Sequence, residues 1–114
     1  MFSRNDLSVV VYKNVSSIGQ AAAEMLSQIT ARAIEQRNQL LVALSGGSTP
    51  RRLFQILSGS TYAQNLPWGK MHFFWCDERL VPPDHPESNF GQAREWLFSQ
   101  LDIPGGNLHR IRGE

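Results

Sequence analysis

Residues 39–50 read QLLVALSGGSTP, a short apolar run that passes straight into Ser45-Gly46-Gly47-Ser48-Thr49-Pro50. An apolar run of this length, bounded by turn residues, reads as a buried strand. Gly46 and Gly47 allow the backbone to turn sharply and let another group approach it closely. Thr49 is a good helix N-cap, and Pro50 is a good first helical residue. Residues 51–57 then form a helix with Leu53, Phe54 and Leu57 on its inner face. Strand, tight turn and helix in immediate succession are the start of an α/β unit.

The same alternation extends in both directions. Upstream, Ser17 and Gln20 stand at capping-box spacing and mark a helix start. Ile18, Ala21, Ala22, Met25, Leu26, Ile29, Ala33 and Ile34 follow as one apolar stripe, ending near Arg37 and Asn38. Before that helix, residues 7–12 (LSVVVY) are β-branched and apolar and predict a first strand, preceded by a frayed tail at 1–6. Downstream, 58–69 read as a loop closed by Pro67, and 70–76 (KMHFFWC) as a further strand. A long loop with Pro82, Pro83 and Pro86 follows. Ser88 or Asn89 caps the next helix, in which Phe90, Ala93, Leu97 and Leu101 share a face. Residues 102–107 break it, and 108–111 begin another strand. The order predicts an α/β fold, a parallel sheet with helices on both faces. The closing residues read as the opening of another element. Residues 7–114 are therefore expected to be the N-terminal part of a single, incomplete domain.

Composition narrows the function classes. Of 114 residues, 41% are hydrophobic and 18% charged, which suits a globular chain. A formal net charge of +1 gives no reason to expect nucleic acid or an anionic membrane as partner, so any bound anion needs a local site. No stretch approaches a membrane span, and no signal peptide is evident. Cys76 is the single cysteine; within an apolar run it predicts a buried, reduced thiol in a cytoplasmic protein.

Two loops at the carboxyl edge of the sheet carry the chemistry. In the first, free N–H groups at the helix start suit a single phosphate, with hydroxyls from Ser45, Ser48 and Thr49. The pattern is neither a Walker loop nor a dinucleotide fingerprint. Its other reading is a tight turn that binds nothing. In the second, Asp77, Glu78 and Arg79 follow directly on a strand. Asp77 could orient a sugar hydroxyl or move a proton, and Arg79 could fork onto phosphate. For an isolated Asp-Glu-Arg, a solvated surface turn is the favoured alternative. His72 reads as structural and His85 as an exposed loop residue; His109 belongs near a strand. No pair of histidines has metal-ligand spacing. Trp68, Trp75 and Trp96 read as packing residues.

Together, Ser45-Gly46-Gly47-Ser48-Thr49-Pro50, Asp77-Glu78-Arg79-Leu80-Val81-Pro82, Asp84-His85, Glu87-Ser88-Asn89-Phe90-Gly91 and Leu108-His109-Arg110-Ile111 resemble the 6-phosphogluconolactonase family. Their order and spacing agree with it from about Leu7 onward. The resemblance implies a Rossmann-like fold shared with glucosamine-6-phosphate deaminase and ribose-5-phosphate isomerase. It implies hydrolysis of 6-phosphoglucono-1,5-lactone to 6-phosphogluconate, a step of the oxidative pentose phosphate pathway. By the same resemblance, Ser45, Gly46, Gly47, Ser48, Thr49 and Arg79 bind the phosphorylated sugar lactone and Asp77 lies beside the sugar in a catalytic role. No metal or organic cofactor is implied, and nothing specifies an oligomeric state. The family's catalytic histidine, in a Gly-x-Asp-Gly-His type motif, has no counterpart in these residues and is expected beyond residue 114; this segment alone is expected to be inactive. Two alternatives remain. Deaminases of the superfamily usually have Asp-Glu-Tyr and Ser-Tyr where this chain has Asp77-Glu78-Arg79 and Ser88-Asn89. A sugar-phosphate-binding regulator would keep the glycine loop and Arg79 without catalysis.

Overall fold

The computed structural model describes residues 7–114; the tail expected at 1–6 lies outside them. The chain runs α1 (Val15–Arg37), β1 (Leu40–Leu44), α2 (Ser48–Leu57), α3 (Ser60–Asn65), β2 (Met71–Trp75), α4 (Asn89–Trp96) and β3 (Leu108–His109). Short 3-10 turns at Trp68–Lys70, Phe98–Gln100 and Gly105–Asn107 join these elements.

The α/β class and the parallel sheet are as expected. β1 pairs with β2 from Leu40↔Met71 to Leu44↔Trp75, and β2 pairs with β3 at Phe73↔Leu108 and Phe74↔His109, both parallel. The spatial order is β1-β2-β3. Alternate side chains point to opposite faces of a strand. One row, Leu40, Leu44, Met71, Phe73 and Trp75, is buried in a single core with Phe54, Leu57, Ala93, Leu97 and Phe98. Phe73 stacks on Trp68 and meets the edge of Phe98, while Trp75 meets Phe90 edge to face. The other row stays open: Leu41, Ala43 and Phe74 are exposed, as is His109 on β3. Of the two helical layers expected, the described residues cover one. His72 has a partner, its Nδ1 lying 3.0 Å from His109 Nε2, and Phe74 stacks on His109.

Several local expectations are corrected. Residues 7–12 form no strand, and Leu7, Val9, Val10 and Val11 are exposed. Strand propensity needs a ladder partner, and these residues have none among those described. Cys76 is exposed, not buried. It continues the alternation of His72 and Phe74 and so falls on the open side of the sheet. α1 starts at Val15 because Asn14 caps it, its side chain accepting from the Ser17 N–H at 2.9 Å. The C-terminus lies where expected, with Asn38 left-handed at the cap. The apolar stripe of α1 is wider than its contact: Ala23 and Ala33 are buried, while Ile18, Met25 and Ile29 are exposed. Residues 58–69 are not plain loop but hold α3 and a 3-10 turn. α4 stops at Trp96, and Leu101 lies beyond it, after a 3-10 turn.

Phe73 is only 1% exposed at the centre of the sheet. Phe73→Ala should destabilise the fold by about 3–5 kcal/mol, the usual cost of an emptied core phenylalanine site. Urea denaturation followed by tryptophan fluorescence measures it.

Candidate functional site

β1 and β2 end in register, Leu44 opposite Trp75, and the pairing continues one step as the Cys76 N–H donates to the Leu44 carbonyl at 2.9 Å. Ser45 and Asp77 therefore leave the sheet side by side at its carboxyl edge. Open α/β sheets bind ligands at that edge.

The glycine turn is tighter than the sequence suggested. Gly47 has φ 98° and ψ −171°, a conformation essentially closed to side-chain-bearing residues. It occupies the cap position, so α2 starts at Ser48; Thr49 and Pro50 lie within the first turn rather than at cap and first position. Proline is tolerated there because first-turn N–H groups have no intrahelical acceptor. The Gly47 N–H donates to Gln92 Oε1 at 3.2 Å. That amide, expected to face a ligand, is satisfied within the protein. Ser45, Ser48 and Thr49 are exposed. Gly46 is pressed against α4: a Cβ added there would come within 1.9 Å of Asn89 Oδ1. On its other side the turn borders an apolar groove of about 380 Å³, walled by Val15, Ile18 and Ala22 of α1.

The second loop is organised by Glu78, whose role the sequence did not reveal. Its Oε1 accepts from the N–H groups of Arg79 (2.8 Å) and Asn89 (2.7 Å). Its Oε2 accepts from the Phe90 N–H (2.9 Å) and the Ser88 hydroxyl (3.1 Å). The Ser88 hydroxyl in turn accepts from the Gly91 N–H at 3.0 Å, and the Ser88 N–H donates to the His85 carbonyl at 3.0 Å. Every N–H at the start of α4 is thus paired inside the protein, and Ser88, not Asn89, is the cap. Burial pushes the Glu78 carboxyl up. Hydrogen bonds from Phe90, Asn89, Arg79 and Ser88 outweigh that and hold it below its ordinary value.

Asn89 is 2% exposed. Its Nδ2 donates to Asp77 twice, to the carbonyl at 3.3 Å and to Oδ1 at 3.2 Å. Arg79 folds over the loop, Nη1 donating to the Glu87 carbonyl at 2.9 Å. Gln92 Nε2 reaches the neighbouring Pro86 carbonyl at 3.3 Å. A path of hydrogen bonds therefore leads from Gly47 through Gln92 to residues 86–87 and on to Arg79. Residues 110–114 cross the same loop: a Cβ on Gly113 would collide with the Arg79 carbonyl, and Arg110 pairs with Glu114 at 2.7 Å. His85 is exposed, and its Nδ1 accepts from the Glu87 N–H. Among the described residues no group of three or more His, Cys, Asp or Glu side chains could hold a metal ion. No helix among them is long and apolar enough to cross a membrane.

The family profile for glucosamine-6-phosphate isomerases/6-phosphogluconolactonase matches residues 13–114. The chain belongs to this family. A 6-phosphogluconolactonase of Haemophilus influenzae is 52% identical over 73 residues, 64% of this chain and 32% of that protein. The solved 6-phosphogluconolactonase from Trypanosoma cruzi superposes with a TM-score of 0.79 at 31% identity, over 91% of this chain and 39% of that one. A monomeric glucosamine-6-phosphate deaminase shares the fold, with a TM-score of 0.73 at 21% identity over 90% of this chain and 42% of its own. The chain thus spans about a third to two fifths of the length of these relatives. The matched span includes both loops, Gly46–Gly47 and Asp77–Arg79.

The lowered Glu78 pKa fixes a pH dependence. A depressed carboxylate pKa contributes stability that is fully present above the unfolded value, 4.5, and is lost as pH falls through the lower folded value. Glu78→Gln should cost about 1 kcal/mol at pH 7, as for a lost helix cap. The deficit should shrink as pH falls below 4.5 and on through the lower folded value, where the folded wild-type carboxylate takes up its own proton. Thermal unfolding of both forms across pH 3–7 tests this; a gap that widens in acid would contradict it.

Proposed function

We propose that a chain of the relatives' length carrying this segment is a cytoplasmic 6-phosphogluconolactonase, hydrolysing 6-phosphoglucono-1,5-lactone to 6-phosphogluconate. Water attacks the lactone carbonyl carbon while a base takes its proton. The ring ester bond then breaks, and the ring oxygen leaves as a hydroxyl on receiving a proton. Donors around the carbonyl oxygen stabilise the negative charge that develops there. In this reading the loop from Ser45 to Thr49 and the Arg79 guanidinium hold the 6-phosphate, and Asp77 lies beside the sugar. None of His72, His85 and His109 is the catalytic histidine of this reading.

The observation that carries the reading is the coupling of the two loops at one sheet edge. Asn89 joins Asp77 to the Gly46 turn, and Gln92 joins Gly47 to the stretch that holds Arg79. A turn able to take an anion, held beside a carboxylate, suits lactone hydrolysis on a phosphorylated sugar, the activity for which the relatives are named. The deaminase likeness, at 21% identity, extends to the fold alone.

The test is turnover of both substrates by the full-length protein. Lactone hydrolysis supports the proposal; ammonia release from glucosamine 6-phosphate without lactonase activity overturns it. Arg79→Ala should raise KM for the phosphorylated lactone by roughly 10- to 100-fold, the worth of charge-assisted hydrogen bonds. KM for unphosphorylated gluconolactone should hardly change. Equal losses on both substrates would remove Arg79 from the phosphate site.

A further inference from the structure

We propose that Asn89 is a positioning residue that acts through Asp77, fixing its carboxylate against the Gly46 turn. The inference rests on the lactonase reading, in which Asp77 lies beside the substrate.

The first argument is what Asn89 does not do. It stands at the first position of α4, where a polar side chain would ordinarily serve the helix end. That end is already complete: Ser88 and Glu78 take the Asn89, Phe90 and Gly91 N–H groups. The Asn89 side chain is free for another task, and both its hydrogen bonds go to one residue. Nδ2 donates to the Asp77 carbonyl and to Asp77 Oδ1, so one amide holds the backbone and the carboxylate together. Asp77 is exposed, and Asn89 is the hydrogen-bond partner its carboxylate has among the described residues. Without that bond a carboxylate at a strand tip would sample several rotamers.

The second argument is what Asn89 costs. Its Oδ1 is buried without a hydrogen-bond partner. Such orphans are rare in native proteins and call for a reason. An apolar residue of similar size would fill the space without that penalty. The orphan oxygen faces Gly46, where any Cβ would overlap it. Glycine at that position and a buried amide at 89 are therefore a matched pair, and together they set the distance between turn and carboxylate.

The full-length protein tests this with a double-mutant cycle on lactone turnover. Asn89→Leu should lower kcat about tenfold or more, as expected for a misplaced reacting group, with KM within about threefold. In an Asp77→Ala background the same substitution should change the residual kcat less than about threefold, because the partner it acts through is gone. Losses that multiply across the two backgrounds, or an unchanged kcat in Asn89→Leu alone, overturn the proposal. If Asn89→Leu does not fold, Asn89→Asp keeps the shape, removes the donor and carries the same cycle under the same criteria. Wild-type turnover separates the two levels: absence of lactonase activity removes the lactonase reading and this inference with it, whereas an active wild type with an additive cycle removes the inference alone.

Discussion

The parallel register of β1 on β2 is the constraint from which the rest of the site follows. Leu44 faces Trp75, and the Leu44 carbonyl takes the Cys76 N–H, so the two strands stop together. Two loops with different chemistry, one rich in glycine and hydroxyls, the other charged, are released at the same point. A shift of one residue in pairing would turn Phe73 outward and Phe74 inward, exchanging core and surface rows. The buried row, Leu40, Leu44, Met71, Phe73 and Trp75, makes that shift costly. Core packing and site geometry are thus one arrangement.

At that edge the starts of two helices are treated differently. α4 is supplied from within, because Glu78 places a carboxylate on its N–H groups, where the helix dipole favours negative charge. α2 has no side-chain cap, and Gly47 leads into it with a backbone that only glycine readily adopts. Glu78 also holds the Arg79 N–H, so the acid at the middle of Asp77-Glu78-Arg79 anchors the loop while its neighbours remain exposed. The anchor fastens both ends of a long excursion, residues 78 and 88–90, and the intervening prolines shorten the conformational list the loop must lose.

Much of this was legible in the amino-acid sequence because it is local. The passage from LLVAL into Gly46-Gly47, the apolar run before Asp77 and the helix start at Ser88-Asn89 each lie within a few residues. What was not legible depends on distant partners. Residues 7–12 have strand composition but no described strand to pair with, so composition misled. Cys76 looked buried because its neighbours are apolar, yet alternation puts it on the uncovered side of the sheet. Glu78 was read only as part of a charged turn and Asn89 only as a candidate cap, and the partners of Glu78, Asn89 and Gln92 carried no readable signal. Gln92 meets Gly47 across 45 residues, and the overlap of Asn89 with Gly46 exists only once α4 is laid against the turn. Asp77 and Arg79 were the residues singled out in the sequence, but the residue between them does the fastening.

The two glycines of the turn are constrained in different ways, and genetics can tell them apart. At Gly46 the obstacle is a neighbour, so a methyl group there has a conceivable second-site suppressor: a smaller residue at 89. At Gly47 nothing lies near an added Cβ, and the obstacle is the handedness of the backbone itself. No substitution elsewhere relieves that, whereas a D-amino acid introduced by chemical synthesis has a backbone preference of the matching hand. One position is a question of room, and the other of chirality.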